Sequence, residues 1–218
     1  MRFFTTFASH FLQLIYMHIK IHKQNPSPRL ILQVVDLLRR GGIIIYPTDT
    51  VYAFGCDIFH PKAIERICRI KHLDRDKSRM AIVCHNLSNI AEYARISTDV
   101  FKLLKRNLPG AFTFILNGSK RLPPILKDRK TIGIRVPDNN IALQIVEILG
   151  NPIFTTSVIS ADNISQYETD PELLIEKYES IVDLIIDGSS GDNTPSTIVD
   201  CTDDDNIEII RQGKGILQ

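Results

Sequence analysis

Four apolar residues in a row, Ile43-Ile44-Ile45-Tyr46, stand between Gly41-Gly42 and the polar stretch Pro47-Thr48-Asp49-Thr50. A run so short and so uniformly apolar has no side to turn to water. It predicts a strand buried on both faces, inside a sheet with helices above and below. The flanks agree. Ser27-Pro28 reads as an N-cap followed by a first-turn proline, Leu30, Ile31, Val34, Val35, Leu37 and Leu38 fall at helical spacing, and Gly41-Gly42 ends that helix. Pro61 opens a second helix carrying Ile64, Ile67, Cys68 and Ile70.

The alternation continues to the C-terminus. Strands are predicted at Met80–Cys84, Phe112–Leu116, Thr131–Val136, Ile153–Ser157, Val182–Ile186 and Ser196–Val199, and helices at Asp99–Asn107, Asn139–Leu149 and Pro171–Glu179. With no long linker and no repeat, the expectation is one α/β domain around a twisted mixed sheet. A chain of 218 residues is long enough to bury such a core. Four scattered cysteines, Cys56, Cys68, Cys84 and Cys201, lack any CxxC pairing and argue against a zinc ribbon or disulfide scaffold. No run of twenty apolar residues predicts a membrane span. Residues 1–16 read as an N-terminal extension ahead of a second start at Met17, without a cleavage signal, leaving 17–218 as the domain and the cytoplasm as its expected location.

The net charge of +1 hides an asymmetry. His60 to Arg135 holds 17 Lys/Arg against 6 Asp/Glu, whereas Asp162 to Glu208 holds 14 Asp/Glu against the single Lys177. The chain can show a cationic face to phosphates and remain neutral overall, or the two faces can attract one another.

Familiar signatures are missing: no G-x-G-x-x-G, P-loop, H-E-x-x-H or G-x-S-x-G. His60, His72 and His85 have no metal-ligand spacing with the cysteines and read as exposed loop histidines, so no protein-bound metal is expected. What remains are polar residues at strand ends. Tyr46-Pro47-Thr48-Asp49-Thr50-Val51-Tyr52 follows a buried strand, where α/β sheets collect ligands. Its hydroxyls could bind a small polar molecule or simply close a turn. Arg135 stands alone in an apolar strand and must be paired, by a ligand's carboxylate or phosphate or by a partner within the protein. Thr155-Thr156-Ser157, Ser196-Thr197 and Arg211-Gln212-Gly213 add hydroxyls, a cation and bare backbone.

In this order the motifs resemble the YrdC/YciO family, whose best-characterised branch is the threonylcarbamoyl-AMP synthases. The resemblance covers residues 24 to 216 and rests on Tyr46–Asp57, the helix leading to Lys71, Pro109–Leu116, Thr131–Pro137, Thr155–Ser157, Pro195–Asp200 and Ile209–Gly215. The helix end RICRIKHLD and the absence of a further domain look most like the YciO branch. The resemblance implies a single YrdC-like domain, α/β, with a twisted mixed open sheet, flanking helices and a concave cationic cleft. It implies synthesis of threonylcarbamoyl-AMP and pyrophosphate from L-threonine (or a similar small amino acid), bicarbonate and ATP with Mg2+, a product used in tRNA modification. By position, Thr48, Thr50 and Ser196 would bind the amino acid and Arg135 its carboxylate. Lys71, Thr113, Thr155, Ser157 and Arg211 would bind the nucleotide, with Lys71 and Arg135 catalytic.

Three departures stand out. Leu73 replaces the arginine two residues after the lysine, Ile159 replaces an asparagine two after Ser157, and Cys84 with His85 replaces a histidine. A buried ligand group left without its partner costs about 1–3 kcal/mol, so the resemblance implies a slow synthase or a different substrate. The alternative is a binding module for double-stranded RNA or tRNA without synthase activity, its patch at Arg75, Lys77 and Arg79.

Overall fold

The computed structural model describes residues 18–72, 81–127, 129–158 and 169–218. In chain order they form β1 (His18–Lys20), α1 (Pro28–Arg39), β2 (Ile44–Tyr46), β3 (Ala53–Asp57), α2 (Pro61–Ile70), β4 (Ala81–Val83), α3 (Leu87–Tyr93), β5 (Ala94–Arg95) and α4 (Thr98–Asn107). Then follow β6 (Phe112–Gly118), α5 (Pro124–Lys127), β7 (Thr131–Arg135), α6 (Asn140–Leu149), β8 (Ile153–Ser157), α7 (Pro171–Tyr178), β9 (Leu184–Asp187), β10 (Thr197–Asp200) and β11 (Glu208–Arg211).

The strands make one open mixed sheet in the order β1-β9-β2-β3-β8-β4-β7-β6-β10-β11, with β5 added to the end of β6. Pairs β1/β9, β9/β2, β4/β7 and β6/β10 are parallel and the others antiparallel. The expected burial of the Ile43–Tyr46 run on both faces holds, and the pleat shows how. Ile45 enters a core layer with Phe54, Ile82, Ile134 and Phe154, beneath residues of α2, α4 and α7. Ile44 and Tyr46 enter the other layer, beneath α1 and α6. Strands β2, β3, β4, β8 and β9 thus feed two cores by simple alternation.

Helix α1 begins after Ser27 as expected and ends in a Schellman motif. Gly41 adopts φ +82°, its N–H donates to Leu38 O and that of Gly42 to Leu37 O. Asn139 caps α6, accepting from Ile141 and Ala142 N–H.

Several elements depart from expectation. Strand β3 lies in a stretch for which no element was predicted, because Gly55, Cys56 and Asp57 carry little strand signal. Its glycine is required by packing: a Cβ there would come within 2.8 Å of the Tyr46 ring and 2.9 Å of Ile153. Strand β9 begins at Leu184, since Asp183 instead accepts from Ile43 N–H at 2.7 Å and from Arg66 at 2.7 Å. The short elements β1, α3, β5, α5 and β11 had no periodicity long enough to read. All four cysteines are buried free thiols. Only His72 of the three histidines singled out is exposed; His60 and His85 are half-buried. No helix among the described residues is long and apolar enough to cross a membrane.

Candidate ligand site on the sheet face

Strand register gathers the candidate residues on one side of the sheet. Gly133 pairs with Ala81 and Ile115, Ala81 with Thr155, and Thr155 with Gly55. Arg135 follows Gly133 by two residues and so shares that face, as do Tyr46, Ser157 and Thr113. Ile198 pairs with Thr113 and with Arg211, which extends the face to β11. Under β2, α1 and α6 cover this side with their apolar stripes. Toward β6, β10 and β11 cover is incomplete: Thr113, Ser157 and Ile198 are half-buried and Arg211 exposed.

The loop from Pro47 to Tyr52 supplies the partner that Arg135 needs. Arg135 Nη2 donates to Asp49 Oδ1 at 2.9 Å and to Thr50 Oγ1 at 3.0 Å, and the two charged side chains are each only 8% exposed. Asp49 Oδ2 accepts the Asp138 N–H at 3.1 Å. Thr48 donates its hydroxyl proton to Val51 O at 2.7 Å, so Thr50 must supply the proton in their 3.0 Å contact. Both threonine protons are therefore committed within the loop, as the turn-closing alternative required. One donor is not: among the described residues Arg135 Nε is buried without a partner.

Next to this group, Tyr46 donates to Thr155 Oγ1 at 2.9 Å while Thr155 donates to Phe54 O at 3.1 Å. Burial pushes the Tyr46 phenol up to about 12, so Tyr46 acts as a neutral donor and not as a base. Further along the face, Thr113 and Ser196 hydroxyls lie 2.9 Å apart and Arg211 Nη2 donates to Ser196 O at 2.8 Å. The turn after Arg211 docks closely: Gly213 N–H donates to Thr197 Oγ1, and a Cβ on Gly213 would fall 2.3 Å from Pro195 O.

The expected set therefore separates. Thr48, Thr50 and Arg135 form one hydrogen-bonded group, and Thr113, Ser196 and Arg211 form another, while Thr155 pairs with Tyr46. Lys71, capping α2, holds its ammonium 5.7 Å from the Phe54 ring centre, against the core layer on the opposite face. The described structure does not bring it to Arg135, because α2 packs on that other layer. Leu73, Ile159 and the patch Arg75, Lys77 and Arg79 lie outside the described residues. Of the expected cationic cleft, the strand register places Arg135 and Arg211, with Arg95 at the far end, on this face.

Cys84 is buried among the first core layer, and its burial pushes the thiol well up, so it presents no thiolate to this face. His85 Nε2 lies 3.7 Å from Glu147 of α6. No cluster of three His, Cys, Asp or Glu suited to a metal occurs among the described residues. Asp49 as the arginine's partner and Lys214 were not foreseen as site residues, whereas the hydroxyls of the Tyr46–Tyr52 stretch were. Lys214 Nζ donates to Asp49 O at 2.8 Å and pairs with Asp192 at 2.8 Å. Nothing in local spacing could reveal a contact across 165 residues of chain.

A family model described as "Telomere recombination" (Sua5_yciO_yrdC) matches residues 36–213. The chain belongs to this Sua5/YciO/YrdC family. It is 44% identical over 198 residues to the uncharacterized protein YciO of Escherichia coli (strain K12), covering 89% of this chain and 94% of that one. The crystal structure of E. coli YciO superposes with a TM-score of 0.86, spanning 93% of this chain and 98% of the other at 42% identity. A putative threonylcarbamoyl-AMP synthase of Methanocaldococcus jannaschii is 31% identical over 206 residues, 89% of this chain and 92% of its own. Sua5 of P. abyssi, crystallised in complex with L-threonine, matches at TM-score 0.80 and 26% identity over 90% of this chain and 57% of its own length. The family thus includes synthases, and the chain's fold is the one they share.

Proposed function

We propose that this Sua5/YciO/YrdC-family protein is an enzyme that joins a small amino acid, L-threonine or one close to it, to AMP through a carbamate. ATP with Mg2+ and bicarbonate are the co-substrates. The observation that carries the reading is Arg135, a buried guanidinium with an unpartnered Nε, set beside Thr50 on the face that also bears Thr113, Ser196 and Arg211. A buried donor without an acceptor is rare enough to call for one, and a carboxylate matches the guanidinium's planar fork. The relative held in complex with L-threonine supports a carboxylate-bearing ligand of that size.

In this reading bicarbonate takes up a proton and gives carbon dioxide and water, and the amine of threonine adds to carbon dioxide to give a carbamate with loss of a proton. A carbamate oxygen then attacks the α-phosphorus, the bond to the β-phosphate oxygen breaks, and pyrophosphate leaves. Such a step asks the protein to align two anions and to offset their repulsion, more than to move protons. Arginines and hydroxyls suit that task, and the neutral Tyr46 phenol offers no competing base. Lys71 would have to act from its present position at the end of α2 or swing toward the sheet edge. The Leu73, Ile159 and Cys84 departures lead to slow turnover.

The test is pyrophosphate release from ATP-Mg as a function of added L-threonine and bicarbonate. Turnover should need both additions and should rise in a Leu73→Arg, Ile159→Asn double variant. Arg135→Ala should abolish it while circular dichroism still reports a folded chain at the assay temperature. Absence of ATP consumption by both wild type and the restored variant, with any small amino acid, would end this reading. Duplex-RNA binding rests on the surplus of Lys and Arg between His60 and Arg135, with Arg75, Lys77 and Arg79 as its patch, and no described contact favours it over the enzyme.

A further inference from the structure

Two glycines flank Lys214, and both stand where a side chain would not fit. A Cβ on Gly213 would fall 2.3 Å from Pro195 O, and one on Gly215 would fall 2.6 Å from the Phe112 ring. The backbone around the lysine is pinned as well. Gly213 N–H donates to Thr197 Oγ1 at 2.9 Å, Lys214 N–H donates to Pro195 O at 2.9 Å, and Gly215 O accepts the Thr197 hydroxyl proton at 2.6 Å. A lysine side chain is flexible, but this one starts from a fixed origin.

From there its ammonium meets two acceptors. Lys214 Nζ donates to Asp49 O at 2.8 Å and pairs with Asp192 Oδ2 at 2.8 Å. Asp192 in turn donates its N–H to Thr50 O at 2.9 Å. Two consecutive carbonyls, those of Asp49 and Thr50, are thus held by two residues that also hold each other. The side chains of the same Asp49 and Thr50 are the acceptors on Arg135 Nη2, at 2.9 and 3.0 Å. With side chains 45% and 32% exposed, the Lys214–Asp192 pair adds only modestly to stability. What it supplies is geometry, since a peptide held at both carbonyls leaves little freedom to the side-chain oxygens that aim the guanidinium. The segment also bridges the two hydrogen-bonded groups of the sheet face. Arg211 bonds Ser196 O at one end, and Lys214, three residues on, bonds Asp49 O at the other.

We infer that Lys214 is a positioning residue for Arg135: with Asp192 it fixes the Asp49–Thr50 backbone and, through those two side chains, the direction of the guanidinium. The inference rests on the proposed enzyme reading only for what Arg135 binds, the carboxylate of the amino acid. A misplacement of about 1 Å in such a group can cost about a hundredfold in rate.

Two measurements on the full chain test it. In protein labelled with 15N-arginine, exchange of the Arg135 Nε–H with water reads the guanidinium itself, and the amides of the β3/β8 ladder read opening of the whole fold. Lys214→Met keeps an unbranched stem and removes both bonds. It should speed the Nε–H about tenfold or more, well beyond any change in the ladder amides. Lys214→Arg, which has donors for both acceptors, should recover most of the protection. In pyrophosphate release, Lys214→Met should raise KM for L-threonine about fivefold or more and leave KM for ATP within about twofold. The ATP side is spared because the backbone bonds of Gly213 and Lys214 to Thr197 and Pro195 stay in place. An Nε–H that exchanges as in wild type, or that speeds up only as much as the ladder does, would overturn the inference. So would equal losses in Lys214→Met and Lys214→Arg, or KM values for threonine and ATP that rise together. A wild type that releases no pyrophosphate, while its Nε–H responds to Lys214→Met, ends the enzyme reading and leaves Lys214 as the residue that positions Arg135.

Discussion

Replacing Asp49 by alanine removes the one carboxylate that the described structure gives Arg135. The guanidinium would remain about as buried as its 8% exposure now makes it, with Nε still lacking a partner and Thr50 Oγ1 as its remaining neighbouring acceptor. Breaking a buried pair from one side typically costs about 3–5 kcal/mol, because the surviving charge keeps its desolvation penalty. With a urea dependence of about 2 kcal/mol per molar, the unfolding midpoint should fall by about 2 M. Arg135→Met substitutes an unbranched apolar chain of similar reach, and the Asp49→Ala, Arg135→Met double variant should be more stable than Asp49→Ala alone. That reversal of sign separates a buried charge left unpaired from a general loss of packing. A midpoint shift below about 0.5 M for Asp49→Ala would refute the reasoning. So would a double variant showing the full sum of the two single losses. Either would mean that water or another group already serves Arg135.

The Tyr46 phenol has a folded pKa near 12 against an ordinary value of 10.0, so its contribution to stability is intact below about pH 10 and is lost as pH rises toward 12. Tyr46→Phe should lower stability by about 1 kcal/mol at pH 7 through the lost Thr155 hydrogen bond and flatten the decline above pH 10, as read from urea midpoints at pH 7, 9 and 11. Lys214 holds the Asp192 carboxyl below its ordinary 3.8, chiefly through their hydrogen bond, so wild type and Lys214→Met should differ in stability at pH 6 and converge as pH falls below about 3.8. Gly213→Ala should destabilise by about 3 kcal/mol or more, since its Cβ would strike the backbone of Pro195 and Ser196. Gly150→Ala, at φ +83° with open space around it, should cost only about 1 kcal/mol; equal thermal shifts for the two glycines would contradict the packing argument.

Periodicity alone determined the architecture: apolar runs of four to five residues between helices with apolar stripes can bury themselves only as strands between two helical layers. Local chemistry also set where α1 and α6 begin and end, because caps, prolines and left-handed glycines act within a turn of chain. The lone arginine in a strand was legible as a residue in need of a partner, since charge in an apolar strand is costly wherever the strand lies. Which partner it has was not legible. Asp49 is 86 residues away and meets Arg135 through the course of a loop, and a turn-closing aspartate looks the same in sequence whatever it touches. The same holds for β3, whose glycine, cysteine and aspartate make sense only beneath the Tyr46 ring. It holds again for Lys71, which motif order places with the phosphates and which α2 carries to the Phe54 layer. Hydrogen-bond protons were the last thing to be decided. The sequence left Thr48 and Thr50 open between binding a ligand and closing a turn, and only the folded loop shows their protons engaged and, among the described residues, Arg135 Nε buried without a partner. A sequence records which groups exist, whereas the availability of each depends on neighbours that folding brings from distant parts of the chain.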